Sequence, residues 1–80
     1  MPPVFESLEL DQRTTALISI AALTAVANAP ARLKTRIRAA LDAGASRDQI
    51  IEVIEQMAVY AGFPAALNGI AAAREAFEGR

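Results

Sequence analysis

The sequence predicts an all-α protein, a four-helix up-and-down bundle with antiparallel neighbours. Apolar residues recur with helical spacing in several segments, and no segment alternates with the period of two that a strand needs. Gly and Pro also stand where helices would end and begin. The 80 residues make one domain at most, over 1–80, and an N-terminal segment over 1–10 precedes the first helix.

The first helix is predicted from about residue 10 or 11 to 28. Asp11 suits the N-cap, because its carboxylate can accept from free N–H groups of the first turn. Between residues 16 and 27 only Ser19 and Thr24 are polar, and each is expected to bond back to a carbonyl one turn earlier. A helix that is apolar around most of its circumference is normally buried on most sides. We therefore expect several neighbours to cover it, a second subunit among them.

The second helix is predicted over about 31–43. Pro30 fits the first turn of a helix, and Gly44 fits the residue that closes one. Helical spacing places one apolar face between two cationic borders. The apolar residues are Leu33, Ile37, Ala40 and Leu41; the cations are Arg32 and Arg36 on one border and Lys34 and Arg38 on the other.

The third and fourth helices are predicted over about 47–61 and 64–77. Ser46 and Gln49 have the spacing of a capping box, Gly62 suits a helix end, and Pro64 suits a helix start. The residues predicted to face the core are Ile50, Val53, Ile54, Met57, Ala58, Tyr60 and Ala61 in the third helix, and Leu67, Ile70, Ala71, Ala73 or Arg74, and Phe77 in the fourth.

Composition excludes several classes of function. A formal net charge of −1 and only four aromatic residues argue against nucleic-acid binding. The longest apolar stretch is too short for a bilayer, and the N-terminus lacks the features of a signal peptide, so we expect no membrane partner and a cytoplasmic location. The chain has no Cys and no His, which leaves no disulfide, no usual zinc site and no thiol or imidazole catalyst. With 54% hydrophobic residues in so short a chain, we expect oligomerisation to cover apolar surface.

Three groups of side chains could carry chemistry, and each has a structural alternative. The basic second helix could bind a carboxylated small molecule, or its long side chains could lie along the borders of the apolar face. Glu52 and Glu55 could form an acid–base pair or a solvated surface. Tyr60 could line a cleft or pack its ring in the core. Asn68, a poor helix former, is either buried and hydrogen-bonded or exposed.

Four segments together carry a family pattern. They are Leu10–Ile18, Arg36–Gly44, Ser46–Gln56 and Val59–Ala66. The last has the spacing Tyr-x-Gly-x-Pro-x-Ala, which is the most specific of the four. Over about residues 8–77, the chain resembles the carboxymuconolactone decarboxylase family.

This resemblance implies an all-helical protomer in a homotrimer or homohexamer. It also implies a cofactor-free enzyme that removes CO2 from a small carboxylated lactone, an intermediate of aromatic-compound degradation. A related branch uses a Cys-x-x-Cys pair and a histidine, but Ala29 and Arg32 stand in place of the cysteines and Arg36 in place of the histidine. Peroxidase and disulfide-reductase activities are therefore excluded. The chain is shorter at its N-terminus than the decarboxylases, as a fragment or a natural minimal version would be.

Two hypotheses follow from the sequence. The first is a carboxy-lyase whose site lies between subunits, with Arg13 and Arg36 binding substrate carboxylates. Arg36 cannot act as a base near neutral pH, so the catalytic residues stay unassigned. The second is a catalytically inactive helical oligomer that keeps the fold without the chemistry. No cofactor and no metal is expected in either case.

Overall fold

The structure, a computed structural model, describes residues 9–79, and all of its regular elements in that range are helices. They are α1 (Gln12–Val26), α2 (Pro30–Asp42), α3 (Arg47–Ala61) and α4 (Phe63–Glu78). This confirms the prediction of four helices and no strand for the described part of the chain. Most of the N-terminal segment 1–10 lies outside the described residues.

The helix starts follow the predicted capping residues. The Asp11 carboxylate accepts a hydrogen bond from the Thr14 backbone N–H at 2.7 Å. Ser46 and Gln49 form the complete capping box, with both reciprocal hydrogen bonds at 3.0 Å. Gly44 and Gly62 have φ values of 99° and 92°, a left-handed region in which a Cβ is unfavourable. These capping residues and glycines therefore lie at the helix ends that the sequence predicts.

Helix α1 ends two residues before the predicted limit. Ala27 takes a left-handed conformation with φ 61°, and its N–H donates to the Leu23 carbonyl at 3.1 Å. Ala29 has non-helical geometry, with φ −141° and ψ 64°, because the ring of Pro30 disfavours the helical region at the residue before it. The chain then has room to turn before α2 begins at Pro30.

The order of the helices around the bundle differs from a simple up-and-down arrangement. Helices α1 and α4 each pack against both α2 and α3, while α2 and α3 lie on a diagonal and barely touch. The prediction that all consecutive helices are packing neighbours is thus wrong for α2 and α3. Their linker is part of the core, because Ala45 is 5% exposed and its N–H donates to the Ala40 carbonyl at 2.9 Å.

The core combines large side chains from three helices with small ones from the fourth. Ile20, Ile37, Ile50 and Ile54 are fully buried. Helix α4 contributes alanines and Gly69, and a Cβ at Gly69 would lie 2.8 Å from Ile54 Cγ2. Such a distance is shorter than side chains tolerate, so α4 approaches its neighbours closely only because residue 69 is glycine.

Three predicted core residues, Tyr60, Leu67 and Ala71, are exposed. Tyr60 is 80% exposed and Leu67 is 56% exposed. At 100° per residue, Tyr60 lies about 120° around α3 from the buried Ile54. Leu67 likewise points away from the alanine face of α4. The interpretation of Tyr60 as a core residue is therefore wrong for the protomer.

Ser19 and Thr24, the two polar residues of α1 beyond residue 15, behave differently. The Ser19 hydroxyl donates to the Thr15 carbonyl at 3.3 Å, as predicted. Thr24 is only 1% exposed, and its hydroxyl has no hydrogen-bond partner. The prediction of a backbone bond is wrong for Thr24, and leaving a buried hydroxyl unpaired costs about 1–3 kcal/mol.

Candidate anion-binding groove

Helices α1 and α2 enclose two adjoining hollows of about 320 and 430 Å³. Arg36 and Ser19 line both hollows, so they lie at the junction. We call this continuous surface the Arg36 groove. Apolar side chains supply much of its wall, namely Leu10, Ala16, Ala22, Leu23, Ala39 and Ala43.

Two unpaired cations mark this groove. Arg32 and Arg36 are one helical turn apart on α2, which places them on the same side of that helix. Both are exposed, and neither guanidinium has an ion-pair partner within residues 9–79. Their fixed positive charge and planar donors suit a carboxylate, which two guanidinium groups could bind from one side.

The remaining polar groups of the Arg36 groove are neutral. Gln12 and Thr15 line it beside Ser19, whose hydroxyl oxygen can still accept a hydrogen bond. No carboxylate from the described residues lines either hollow. One protomer therefore offers anion binding and hydrogen bonding here, without a side chain that exchanges a proton at neutral pH.

Arg13 lies apart from this site. It is in the first turn of α1, and its Nη2 atom is 4.0 Å from Asp11 Oδ2. It lines neither hollow beside Arg36. The structure thus brings Arg32 to Arg36, rather than Arg13. Arg32 was predicted only as one of the four cations of the second helix, and its spacing of four from Arg36 was the available signal.

The pKa of the Asp11 carboxyl is displaced by its role as a helix cap. Hydrogen bonds from the Thr14 side chain and backbone hold the pKa of the Asp11 carboxyl below its ordinary value, and the nearby Arg13 charge acts in the same direction. The exposed carboxylate therefore stays ionised as the cap of α1 at neutral pH. Its role is structural, because it holds the helix that forms one wall of the groove.

The other sequence candidates lie on the surface. Glu52 and Glu55 are exposed, and within the described range neither forms an ion pair with a neighbouring arginine. This confirms their interpretation as a solvated face. Arg47 instead lies over the Phe77 ring, 5.3 Å from its centroid. Asn68 is exposed on α4, which answers the question that the sequence left open.

Residues 9–79 contain no cluster of three acidic side chains that could hold a metal ion. None of α1–α4 combines the length and the continuous apolar character that a bilayer crossing requires.

Comparison with known proteins identifies the family of the chain. The model of the carboxymuconolactone decarboxylase family matches residues 4–75, which include α1, α2, α3 and most of α4. The chain belongs to this family. The family resemblance of the sequence is thereby confirmed, and Arg36, which stands in place of the histidine expected from that resemblance, lies in the groove.

A relative from Paracoccus denitrificans is similar over most of this chain. It is an uncharacterized 15.0 kDa protein in the nqo9-nqo10 intergenic region, 36% identical over 69 residues. That alignment covers 85% of this chain and 52% of the relative. The chain thus spans about half the length of the curated relative it matches.

Proposed function

We propose that this protein is a cofactor-free carboxy-lyase that acts on a small carboxylated lactone or a related intermediate of aromatic degradation. The observation that carries the proposal is a pair of guanidinium groups, Arg32 and Arg36, on one wall of a partly apolar groove, with no counter-ion among residues 9–79. Family membership supports the substrate class. The groove supports the binding mode, since its cations match carboxylates and its apolar wall matches a ring.

Arginines can assist decarboxylation without exchanging protons. When the bond between the carboxylate carbon and the ring breaks, CO2 leaves and its bonding electron pair stays on the substrate. The lactone carbonyl delocalises that pair, and a fixed cation at the groove stabilises the developing charge. A proton then forms the new C–H bond. In this proposal water delivers it, or a side chain of a second subunit does.

The proposal includes assembly. A site between subunits would bring groups from a partner to the Arg36 groove, whose described lining lacks a proton donor of its own. Exposed apolar side chains support a homotrimer or homohexamer, among them Val59 at 76% and Phe63 at 70% exposure. We also retain the cytoplasm as the proposed compartment. Arg13 remains a proposed substrate contact in the assembly, where a neighbouring protomer could bring it to a groove.

Release of CO2 from a carboxylated muconolactone tests the proposal. We expect turnover by the purified chain, and a drop of roughly 10- to 100-fold in kcat/KM for Arg36→Met, because a charged hydrogen bond is removed. Arg38→Met is the matched control, since Arg38 lies on the opposite border of α2 and lines neither hollow. No CO2 above background, or equal losses in both variants, would contradict the proposal.

A second candidate function is a non-catalytic oligomer. Two observations support it. One is the exposed apolar corner of α3 and α4, formed by Val59, Tyr60, Phe63 and Leu67. The other is that no carboxylate from the described residues lines the Arg36 groove. It predicts a defined trimer or hexamer by light scattering, and Val59→Asp should dissociate it. Thr35→Asp, also exposed but away from this corner, is the control. A stable wild-type monomer at micromolar concentration would contradict this candidate.

A further inference from the structure

The outer face of α3 has a stripe of negative charge. Its residues are Asp48, Glu52, Glu55 and Val59, and we call this surface the acidic ridge. Their spacing of four, three and four places them within about 60° around the helix, on the side opposite to the buried Ile50. All four are exposed, and none of the three carboxylates forms an ion pair with another residue of the described range.

The Arg36 groove contains a stripe of α2 with the same spacing and the opposite charge. Arg32, Arg36, Ala39 and Ala43 all line the groove, and their spacing is also four, three and four. The N-terminal half of this stripe is cationic, and its C-terminal half has only small apolar side chains. On the acidic ridge the carboxylates likewise come first and Val59 comes last. The two stripes therefore match in charge and in apolar character when their helices run parallel.

The ridge and the groove of one protomer face different directions. Helices α2 and α3 lie on a diagonal of the bundle and barely touch, and the groove lies between α1 and α2. The acidic ridge of one copy can therefore contact only the groove of another copy. Such a contact uses different surfaces on the two partners, so it repeats from copy to copy and forms a ring when the rotation closes.

We propose that the acidic ridge of one copy docks into the Arg36 groove of the next copy, with the two helices parallel. In this register Glu52 lies against Arg36, and the exposed Val59 lies against Ala43. A guanidinium has five N–H donors, so Arg36 can bind the carboxylate of a neighbouring copy and still offer donors to a substrate. This inference rests on the assembly that the proposed function includes, and not on its lyase chemistry.

An exchange of charges tests the contact. Arg36→Glu places a carboxylate against the acidic ridge, and Glu52→Arg places a cation against the groove. Each should raise the dissociation constant of the assembly about 10- to 100-fold in sedimentation experiments, because like charges would then meet. The variant with both substitutions has opposite charges again and should recover assembly. Arg38→Glu, on the other border of α2, is the matched control and should leave assembly unchanged.

The direction of docking has a separate test, because the chain has no cysteine. With Ala43→Cys and Val59→Cys in one chain, oxidised glutathione should link neighbouring copies through disulfides. Within one protomer these positions are far apart, since Val59 lies about three turns beyond the end of α3 that follows Ala43. Thr35→Cys with Val59→Cys is the control, because Thr35 is exposed but lines neither hollow, and it should give no links.

Several results would overturn the inference. They are a wild type that stays monomeric at micromolar concentration, an assembly that tolerates Arg36→Glu or Glu52→Arg, and a double variant that does not recover. Equal weakening by Arg38→Glu would overturn it as well. Circular dichroism checks that each variant is folded. If Arg36→Glu does not fold, Arg32→Glu combined with Asp48→Lys tests the adjacent pair in the same register.

The release of CO2 by wild type separates this inference from the lyase proposal. An assembly that responds to the charge exchange as expected, but releases no CO2, contradicts the lyase proposal alone. Release of CO2 by an assembly that is insensitive to both Arg36→Glu and Glu52→Arg contradicts the docking inference alone.

Discussion

The two cationic borders of α2 have similar sequences but different surroundings. On the border that faces α1, Arg32 and Arg36 line an open groove and have no counter-ion among the described residues. On the border that faces α4, Lys34 is paired with Glu75 at 2.6 Å. Farther along, Arg38 lies near the C-terminal end of α4, beside Gly79.

This difference teaches that a cation's role is set by the helix it faces. Helix α4 presents a carboxylate at Glu75, so the charge of Lys34 is compensated within the protomer. Helix α1 presents Ser19 and Thr15 to Arg36, and no described residue compensates the charge of Arg36. The charge of Lys34 is therefore compensated within the protomer, whereas the charges of Arg32 and Arg36 have no counter-ion among the described residues.

The largest expected effect comes from the apolar face that both borders share. Ile37 is fully buried between them, and Ile37→Ala should lower the free energy of unfolding by about 2–5 kcal/mol. Because both cationic borders belong to α2, both should lose their structure in the same unfolding transition. Chemical denaturation measures the change, with the exposed Thr35→Ala as a control within about 0.5 kcal/mol. A loss below 1 kcal/mol in Ile37→Ala would mean that α2 is not anchored as described.

The next largest effect on stability concerns the close packing of α4 at Gly69. In Gly69→Ala the new Cβ would lie 2.8 Å from Ile54 Cγ2 and 3.0 Å from Thr24 Cγ2, so we expect a destabilisation of about 1–3 kcal/mol. That loss should exceed the gain in helix propensity, about 0.5–1 kcal/mol. Gly79→Ala, with its nearest neighbour at 3.6 Å, is the matched control for thermal unfolding. Equal midpoints for the two variants would contradict the close approach of α4.

A smaller effect on stability is expected from the charges of the two borders, because Lys34 is paired and Arg36 has no counter-ion among the described residues. A double-mutant cycle of Lys34→Met and Glu75→Gln should give a coupling energy of about 0.2–1 kcal/mol, since Glu75 is 61% exposed and the pair is screened by water. Coupling should decrease in 1 M salt. Arg36→Met, which removes an unpaired charge, should change stability by less than about 0.5 kcal/mol. A larger loss of unfolding free energy in Arg36→Met than in Lys34→Met would contradict this difference between the two borders.

The smallest expected effect is an acid dependence on the α1 side. Because the pKa of Asp11 is lowered in the folded state, its capping stabilisation is present above its ordinary pKa of about 3.9 and is lost as pH falls through the folded value. Wild type should therefore lose part of its advantage over Asp11→Ala below pH 4. Thermal unfolding at pH 7 and at pH 3 measures this difference. A constant gap between the two proteins at both pH values would exclude the carboxylate as the cap.

The helix boundaries were largely predictable because their causes are local. Ser46 and Gln49 act on backbone groups three residues apart, and Pro30 acts through its own ring. The Arg36 groove was only partly predictable. The sequence indicated Arg36 as an anion-binding residue, but the partner of Arg36 is Arg32 rather than Arg13, because Arg13 sits one helix away beside Asp11.

By itself, the sequence determined the number of helices, their caps, the family and the absence of thiol and imidazole chemistry. Only the tertiary structure decided the diagonal placement of α2 and α3, the exposure of Tyr60 and the isolation of the Thr24 hydroxyl. The reason is the distance along the chain between the residues that interact. Caps and helical periodicity depend on neighbours within one turn, whereas burial, ion pairing and cavities depend on which other helix packs alongside.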